Sequence, residues 1–400
     1  MMGVGWPEYT LGDLCKFKYG QMPRKTDLCD DGYPVFSGYH IVGYATTYHY
    51  EEPEIIVVAR GVGGTGDVKM SPPKCFLTNL SIVAKVISSN VDKKFLYYRL
   101  AGPKLWELRT GSAQAQITID RLQRYELRLP PLATQRKIAA ILSAYDDLIE
   151  NNLRRIKILE EMAQNLYREW FVKFRFPGHQ QARFTDSPLG RIPEGWKCGV
   201  VNDILSLKSG FAFKSSIFTE DGTYGLVTIK NVHDGLFVPA CTSRIADLPS
   251  NMPSFCHLST GDVLLSLTGN IGRVCLVYGT DYLLNQRVAK LVPNEANNRA
   301  YIYFTFRQDD FQTKLSKIAN GVAQQNLSPI ETGRMQVVIP SQKVLADFAG
   351  ICEPIVEEMT ALFRKNTTLR RTRDLLLPKL ISGEVDVSEL DLVVPEEAAV

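Results

Sequence analysis

Residues 138–170 read IAAILSAYDDLIENNLRRIKILEEMAQNLYREW, and this stretch decides the fold. Its apolar positions are Ile138, Leu142, Tyr145, Ile149, Ile156, Leu159, Ala163, Leu166 and Trp170, with Asn152 in the middle. Steps of four and three alternate without a break, which is the spacing of a coiled-coil seam. No Pro or Gly interrupts the run, so the spacing predicts a rod of roughly 50 Å at about 1.5 Å per residue. A single sticky stripe needs a partner.

A second run near the C-terminus supplies one. Phe348, Cys352, Ile355, Met359, Leu362, Asn366, Leu369, Arg373, Leu376 and Leu380 keep the same alternation. Laid antiparallel, Ile138 meets Leu380, Trp170 meets Phe348 and Asn152 meets Asn366. A buried amide facing a buried amide fixes register, because a slip strands it against hydrocarbon. Tyr145 then faces Arg373, a cation–π pairing. The alternative is two amphipathic helices that each pack on their own domain.

Around the two runs, the chain repeats itself at a period near 200 residues. Gly5-Trp6 recurs as Gly195-Trp196, Asp13 as Asp203, Gly20 as Gly210 and Asp31-Gly32 as Asp221-Gly222, all 190 residues on. Gly63, Gly66, Val68, Asn79 and the aromatic run Phe95-Leu-Tyr-Tyr98 recur 206 residues on, the last as Tyr301-Ile-Tyr-Phe304. Gly111-Ser-Ala-Gln114 matches Gly321-Val-Ala-Gln324 at 210, as do the two seams. The shift grows in small steps, as loop insertions produce.

The expected organisation is mixed α/β: a first globular domain at 1–131, a long helix at 132–176, an exposed connector at 177–189, a second globular domain at 190–340, a second long helix at 341–382 and a tail at 383–400 that frays near Val394–Val400. Short β-rich runs alternate with Gly-rich turns. They include Pro34–Phe36, Glu54–Ala59 and Ser81–Ile87 in the first domain, with a helix near Lys93–Leu100. In the second they are Tyr224–Ile229, Asp262–Leu267, Arg273–Tyr278 and Arg287–Val292. Ser328-Pro-Ile-Glu331 has the form of a capping box with Pro at the first helical position.

Bulk composition bounds the rest. Four hundred residues suffice for two or three cores, and 22% charged with 45% hydrophobic residues is globular composition. A net charge of +3 argues for no particular partner. Eight Cys without a C-x-x-C pair read as reduced thiols, and no apolar run reaches membrane-spanning length, so the expected compartment is the cytoplasm.

Catalytic motifs are missing. Gly61-Val-Gly-Gly-Thr-Gly66 matches the dinucleotide fingerprint literally, but the following Asp67-Val-Lys-Met-Ser-Pro-Pro73 cannot open the helix that would hold a pyrophosphate. Gly269-Asn-Ile-Gly272 in the second domain fits a tight turn. The five His are scattered, His257 beside Cys256 reads as a packed surface pair, and neither Pro72-Pro73 nor Pro130-Pro131 sits in an adenine-methyltransferase motif. A recognition or scaffold role follows.

With both repeats laid out, the chain resembles the specificity subunit of type I restriction–modification systems. The resemblance spans nearly all 400 residues. Its most specific parts are Leu129-Pro-Pro-Leu-Ala-Thr-Gln-Arg-Lys-Ile-Ala-Ala-Ile-Leu142, Leu148-Ile-Glu-Asn-Asn152, Leu166-Tyr-Arg-Glu-Trp-Phe171, Pro188-Leu-Gly-Arg-Ile-Pro-Glu-Gly-Trp196 and Arg373-Asp-Leu-Leu-Leu-Pro-Lys-Leu-Ile-Ser-Gly-Glu384. Asp262-Val-Leu-Leu-Ser-Leu-Thr-Gly-Asn-Ile-Gly272 and Gly111-Ser-Ala-Gln114 share it. Two departures stand out: Ser341 where a second Pro is usual, and Pro354 inside the second seam, which is expected to disturb the first turns of that helix.

The resemblance implies two target recognition domains, each reading half of a bipartite, asymmetric site in double-stranded DNA, with the paired helices as spacer. It implies two modification subunits carrying S-adenosylmethionine and adenine-N6 methylation, and restriction subunits with ATP-driven translocation and Mg²⁺; this chain itself would bind no cofactor and catalyse nothing. A duplicated chain imitates a twofold dimer and offers equivalent faces to two identical partners. A rod of roughly 50 Å corresponds to about 14 base pairs between half-site centres if helices and duplex run parallel. A stand-alone DNA-modifying enzyme and a coiled-coil adaptor that does not bind DNA are the competing classes.

Polar side chains on Gly-rich loops are the natural readers, with Arg suited to guanine and Asn or Gln to adenine. The candidates are Ser37, Tyr39, His40, Arg60 and Lys69 in the first domain, and Lys214, Lys230, Asn231, His233, Asn270, Arg273 and Arg287 in the second. Gln114 and Gln116, with Gln324, Gln325 and Asn326, occupy matched loops and either face a groove or cap the following helix. Arg154, Arg155, Arg370 and Arg371 read as solvated faces or partner contacts.

Overall fold

The computed structural model describes residues 5–61, 64–101, 103–111, 115–319 and 325–392; the end expected to fray lies outside them. Contacts divide the chain into two units, Met1–Leu148 with Leu369–Val400, and Ile149–Thr368. The two long helices, Leu132–Tyr167 and Gln342–Ser382, each run without a break through the boundary, so each unit owns part of both.

In the first unit, an antiparallel sheet has the spatial order Cys15–Tyr19, Ser81–Val86, Ile55–Val58, Val68–Met70. Ile55 and Val57 face the core under the helix Lys93–Leu100, while Ile56 packs on the other side with Leu77 and Val83. Burial on both faces is why this strand reads as an unbroken apolar run instead of an alternation. A second sheet orders Leu28–Cys29, Ile41–Ala45, Tyr33–Phe36 and Phe76–Leu77, the last pair parallel.

The second unit repeats the plan. Its main sheet orders Leu205–Ser209, Val288–Pro293, Val263–Ser266, Val274–Leu276, again antiparallel throughout. In its companion sheet, Tyr224–Val227 and Tyr282–Leu284 form the parallel pair. The strand at Leu205 begins 190 residues after its counterpart at Cys15, the helix at Arg299 206 after Lys93, and the long helix at Gln342 210 after Leu132. The stepped sequence repeat is therefore a structural one. Its matched glycines have a shared cause: a Cβ on Gly20 would fall 2.3 Å from the Thr78 carbonyl oxygen, and one on Gly210 2.4 Å from that of Asn285. Only glycine lets the backbones approach so closely.

Each unit also closes on its helix start. Glu8–Thr10 pairs with Glu126–Arg128, and Lys197–Val200 with Gln336–Ile339, placing the beginning of each globular part beside its end. The repeated tryptophans cover helix ends. Trp196 packs on Phe171, Phe174 and Phe176 just beyond the first long helix, at ring distances of 6.0, 5.5 and 5.3 Å, and Trp6 lies against Gly383 just beyond the second. The first long helix ends in a wider π turn at Arg168–Val172, which turns both Trp170 and Phe171 into the core.

The helices pair antiparallel along the seam. In the first unit Ile138, Leu142 and Leu380 are buried in one cluster, with Leu376 against it. In the second, Ile156, Met359 and Leu362 share a cluster, Leu159 and Ile355 flank it, and Trp170 meets Phe348 at 5.8 Å with Leu166 against the same core. Tyr145 and Leu369 are half-buried and Ile149 is buried. Asn152 Nδ2 donates to Asn366 Oδ1 at 2.8 Å, and Asn366 Nδ2 donates to the Ile149 carbonyl at 3.3 Å. These amides are 3% and 0% exposed.

Two expectations need correction. Arg373 does not make the Tyr145 ring its partner: its guanidinium pairs with the carboxylates of Asp146 and Asp374, and Asp146 also accepts from the Tyr98 hydroxyl at 2.6 Å. A carboxylate offers a guanidinium charge-assisted bonds that a ring face cannot match. Nor does Pro354 disturb the second helix, which is continuous from Gln342. Pro354 and Gly350 are both exposed, so the carbonyl four residues before the proline, which loses its amide donor, lies on the solvent side of the helix and not in the seam.

Candidate nucleic-acid interface

The main sheets end at matched loop clusters. In the first unit, the Ile117 amide donates to the Ala59 carbonyl at 2.8 Å; in the second, Leu327 donates to Leu267 at 2.8 Å. These bonds place Gln116 beside Arg60 and Asn326 beside Thr268 as isolated backbone bridges. Arg60, Gln116, Asn79 and Tyr19 line a cleft of about 220 Å³ with Ala59 and Ile117. At the corresponding positions, the second unit carries Thr268, Asn326, Gln286 and Ser209, since the backbone bonds of Ser81 to Thr78 and of Ala59 to Leu80 recur as those of Val288 to Asn285 and of Leu267 to Arg287. The backbone frame is repeated, and the side chains it displays differ.

Beside the cleft, the Gly61–Gly66 segment lies between the antiparallel strands Ile55–Val58 and Val68–Met70, so a strand and not a helix follows it; its Val62 and Gly63 lie outside the described residues. Asp67 gathers the exposed rings around it. Trp106 Nε1 donates to its carboxylate at 3.0 Å and the Tyr39 hydroxyl at 3.5 Å, while Arg109 stacks on Trp106 at 4.4 Å and donates to the Thr65 carbonyl. Burial, then the Asp67 charge, raises the Tyr39 phenol above its usual range, so it stays a neutral donor. Trp106 and Tyr39 remain 45% and 44% exposed, which suits them to flat, ring-on-ring or ring-on-sugar contact.

In the second unit, His233, Asn270 and Arg273 come together. His233 Nδ1 lies 3.3 Å from Arg273 Nη1, and with its amide oxygen turned to the guanidinium Asn270 accepts from Arg273 at 3.2 and 3.0 Å. His233 Nε2 meets the carbonyl of Lys230 at 3.2 Å, which puts that exposed lysine at the edge of the group. Gly269–Gly272 is the tight turn expected there, held by Ser266 Oγ on the Asn270 carbonyl.

Other candidates fare differently. Ser37 and Asn231 are buried and spend their polar atoms on their own turns, so neither is available to a ligand. Ser37 Oγ donates to the His40 carbonyl. Asn231 accepts from Thr228 and donates to the carbonyls of Val238 and Ala240. His40, Lys214, Arg287 and Gln325 are exposed, and Lys69 is half-buried on its strand. Gln114 and Gln324 lie outside the described residues. Arg154 pairs with Glu150, and Arg155 pairs across the helices with Glu358 at 2.7 Å, while Arg370 and Arg371 are exposed.

Tyr19, Asn79, Trp106 and Arg109 were not singled out. Asn79 had a sequence signal, its match to Asn285, although the fold sets Asn285 at the place of Thr78 and Gln286 at that of Asn79; the others lacked one, because nothing local marks which strand-end side chains converge. Ser328 caps the short helix Pro329–Gly333 through the Glu331 amide, but the Glu331 carboxylate pairs with Arg334. Among the described residues, no three His, Cys, Asp or Glu come together as a metal site requires, and no helix is long and apolar enough to cross a membrane.

Comparison with known proteins agrees with this architecture. The family model described as the type I restriction modification DNA specificity domain matches twice, over residues 3–161 and 193–348. A type I restriction enzyme specificity subunit of Methanocaldococcus jannaschii, MjaVIII, is 23% identical over 96% of this chain and 94% of its own. A second from that organism, MjaIX, is 25% identical over 78% of this chain and 74% of its own. The crystal structure of a type I restriction–modification S subunit from M. genitalium superposes with a TM-score of 0.65 at 19% identity, covering 94% of this chain and 96% of that one.

Proposed function

We propose that the chain, which belongs to the type I restriction–modification DNA specificity family, reads a bipartite, asymmetric double-stranded DNA site and positions two adenine-N6 methyltransferase subunits on it, with restriction subunits joining that core. One observation carries this reading. The same frame is built twice, and matched strand ends display Tyr19, Arg60, Asn79 and Gln116 in one unit against Ser209, Thr268, Gln286 and Asn326 in the other. Two copies of one reader with different side chains suit two different half-sites. Arg60 and the amides have the donor and acceptor sets that guanine and adenine edges take, and exposed Lys230 and Arg287 supply phosphate contacts.

The paired helices set the half-site spacing, much as dimer geometry does in other readers. S-adenosylmethionine, ATP and Mg²⁺ belong to the partner subunits, and the chain works in the cytoplasm. Its contribution to methylation is placement, since an adenine must leave the duplex to reach the partner's pocket and a clamped complex favours that exit.

Replacing residues 190–340 with another reader tests the division of labour. The methylated site should change in one half only; a change in both halves refutes independent reading. Affinity of the assembled complex for DNA should fall steeply with salt as phosphate contacts are lost. Methylation or cleavage of DNA by the purified chain alone, with S-adenosylmethionine and Mg²⁺, would sink the non-catalytic role.

A further inference from the structure

Within the second unit, the guanidinium of Arg307 lies beneath the hairpin that carries His233. Its side chain is 7% exposed. Nε and Nη2 donate to the two Asp234 carboxylate oxygens, each at 3.1 Å, and Nη1 donates to the Tyr303 hydroxyl at 2.9 Å. Nη1 also meets the carboxylate of Glu160, which projects from the first long helix. Burial lowers the Arg307 pKa to about 10, which still leaves it ionised at neutral pH, with two carboxylates to offset the cost.

The hairpin is closed down on this group. Gly235, at φ +69°, forms its turn between Val232–His233 and Leu236–Phe237, and a Cβ there would fall 2.7 Å from Arg307 Nη2 and 3.0 Å from Glu160 Oε1. On the outer side of the same turn His233 touches Arg273, and Arg273 holds Asn270. A path of direct contacts thus runs from the spacer helix through one guanidinium and one turn to the exposed polar cluster. In the first unit, the position 206 residues earlier is Ala101, which has no guanidinium to offer.

We propose that Glu160, Arg307 and Asp234 form a positioning clamp that sets where His233, Asn270 and Arg273 meet DNA, so that specificity for the second half-site depends on a residue that does not touch DNA. The inference rests on the reading of the second unit as a DNA reader. Its physical basis is geometry: a guanidinium fork holds two carboxylates in fixed directions, which the point charge of a lysine does not. Base-edge hydrogen bonds tolerate only a few tenths of an ångström, so a turn that rides loosely contacts right and wrong bases alike.

The test uses the full chain assembled with its methylating partners. Methylation rates are compared on duplexes that each carry one base change in either half of the site. A correct reader disfavours a wrong base by roughly 10- to 100-fold. In Arg307→Lys, and independently in Glu160→Gln, the ratios for the second half should fall about tenfold toward one while those for the first half hold. If both variants instead lose rate equally on all duplexes with ratios intact, the clamp is only structural and the proposal is overturned. A His233→Ala, Asn270→Ala, Arg273→Ala triple variant separates the two levels. If it lowers the second-half ratios and the clamp variants do not, the cluster reads DNA without the clamp. If it leaves those ratios unchanged, the reading of the cluster fails and the clamp falls with it.

Discussion

The buried amide pair of the seam makes an asymmetric prediction. Replacing Asn152 with Leu leaves Asn366 Oδ1 without its donor, but Asn366 Nδ2 keeps the Ile149 carbonyl. Replacing Asn366 with Leu removes both bonds and leaves the Asn152 amide wholly unpaired at 3% exposure. A buried polar group without a partner costs about 1–3 kcal/mol. Asn152→Leu should therefore sit near the low end of that range and Asn366→Leu near the high end. In the double variant no polar group is stranded, and two buried leucines add apolar area worth about 1–2 kcal/mol each before packing adjustments. It should be at least as stable as the milder single variant. Denaturant midpoints of the four proteins, with hydrogen exchange at residues 149–156 and 359–369, measure this. A double variant less stable than both singles would show that the two amides act independently, and the register argument would fail. The cost of the double change should be specificity: without the amides, helix register is held by hydrocarbon alone, and slippage should appear as faster exchange along the seam.

Trp196→Ala removes the ring that covers Phe171, Phe174 and Phe176, and should cost about 3–5 kcal/mol, read from the denaturant midpoint with loss of near-ultraviolet dichroism. Burial raises Tyr167 to about 12, and raises Tyr301 and Tyr303 as well. These phenols bind their protons more tightly when folded, so the stability they contribute is intact below pH 10 and is lost as pH climbs from there through about 12. Absorbance titration at 295 nm should show a late tyrosine class that ionises together with unfolding. A thiol reagent should label exposed Cys198 first, while Cys15 and Cys352, whose buried thiols are pushed up to about 12, resist until the chain unfolds.

Much of this architecture was legible in the chain itself. The four-three alternation needs no tertiary information, because side chains spaced that way share one face of any α-helix. Two such stripes with an Asn at one matched position left a single antiparallel register that pairs amide with amide. The stepped repeat carried the rest, since loops absorb insertions while strands and helices keep their spacing. Gly20 and Gly210 recur because both press on a neighbouring backbone, and the two Gly-Trp pairs because each ring covers the end of a long helix.

The surface was less legible, for an equally physical reason. Ser37 and Asn231 have the composition of readers, yet turns consume local donors and acceptors first, and only the folded loops reveal which were spent. Arg373 found the carboxylate of Asp146, the residue next to Tyr145 on the facing helix, instead of the ring, a choice made by carboxylate geometry across two helices. Tyr19, Arg60, Asn79 and Gln116 lie far apart in sequence and meet only because three strand ends and a loop converge. By itself, then, the sequence determined the helices, their pairing and the twofold plan, all of which follow from periodicity along one chain. Tertiary structure alone decided which polar side chains remain free at the surface and that Arg307 stands between helix and hairpin, because those outcomes depend on partners that periodicity does not encode.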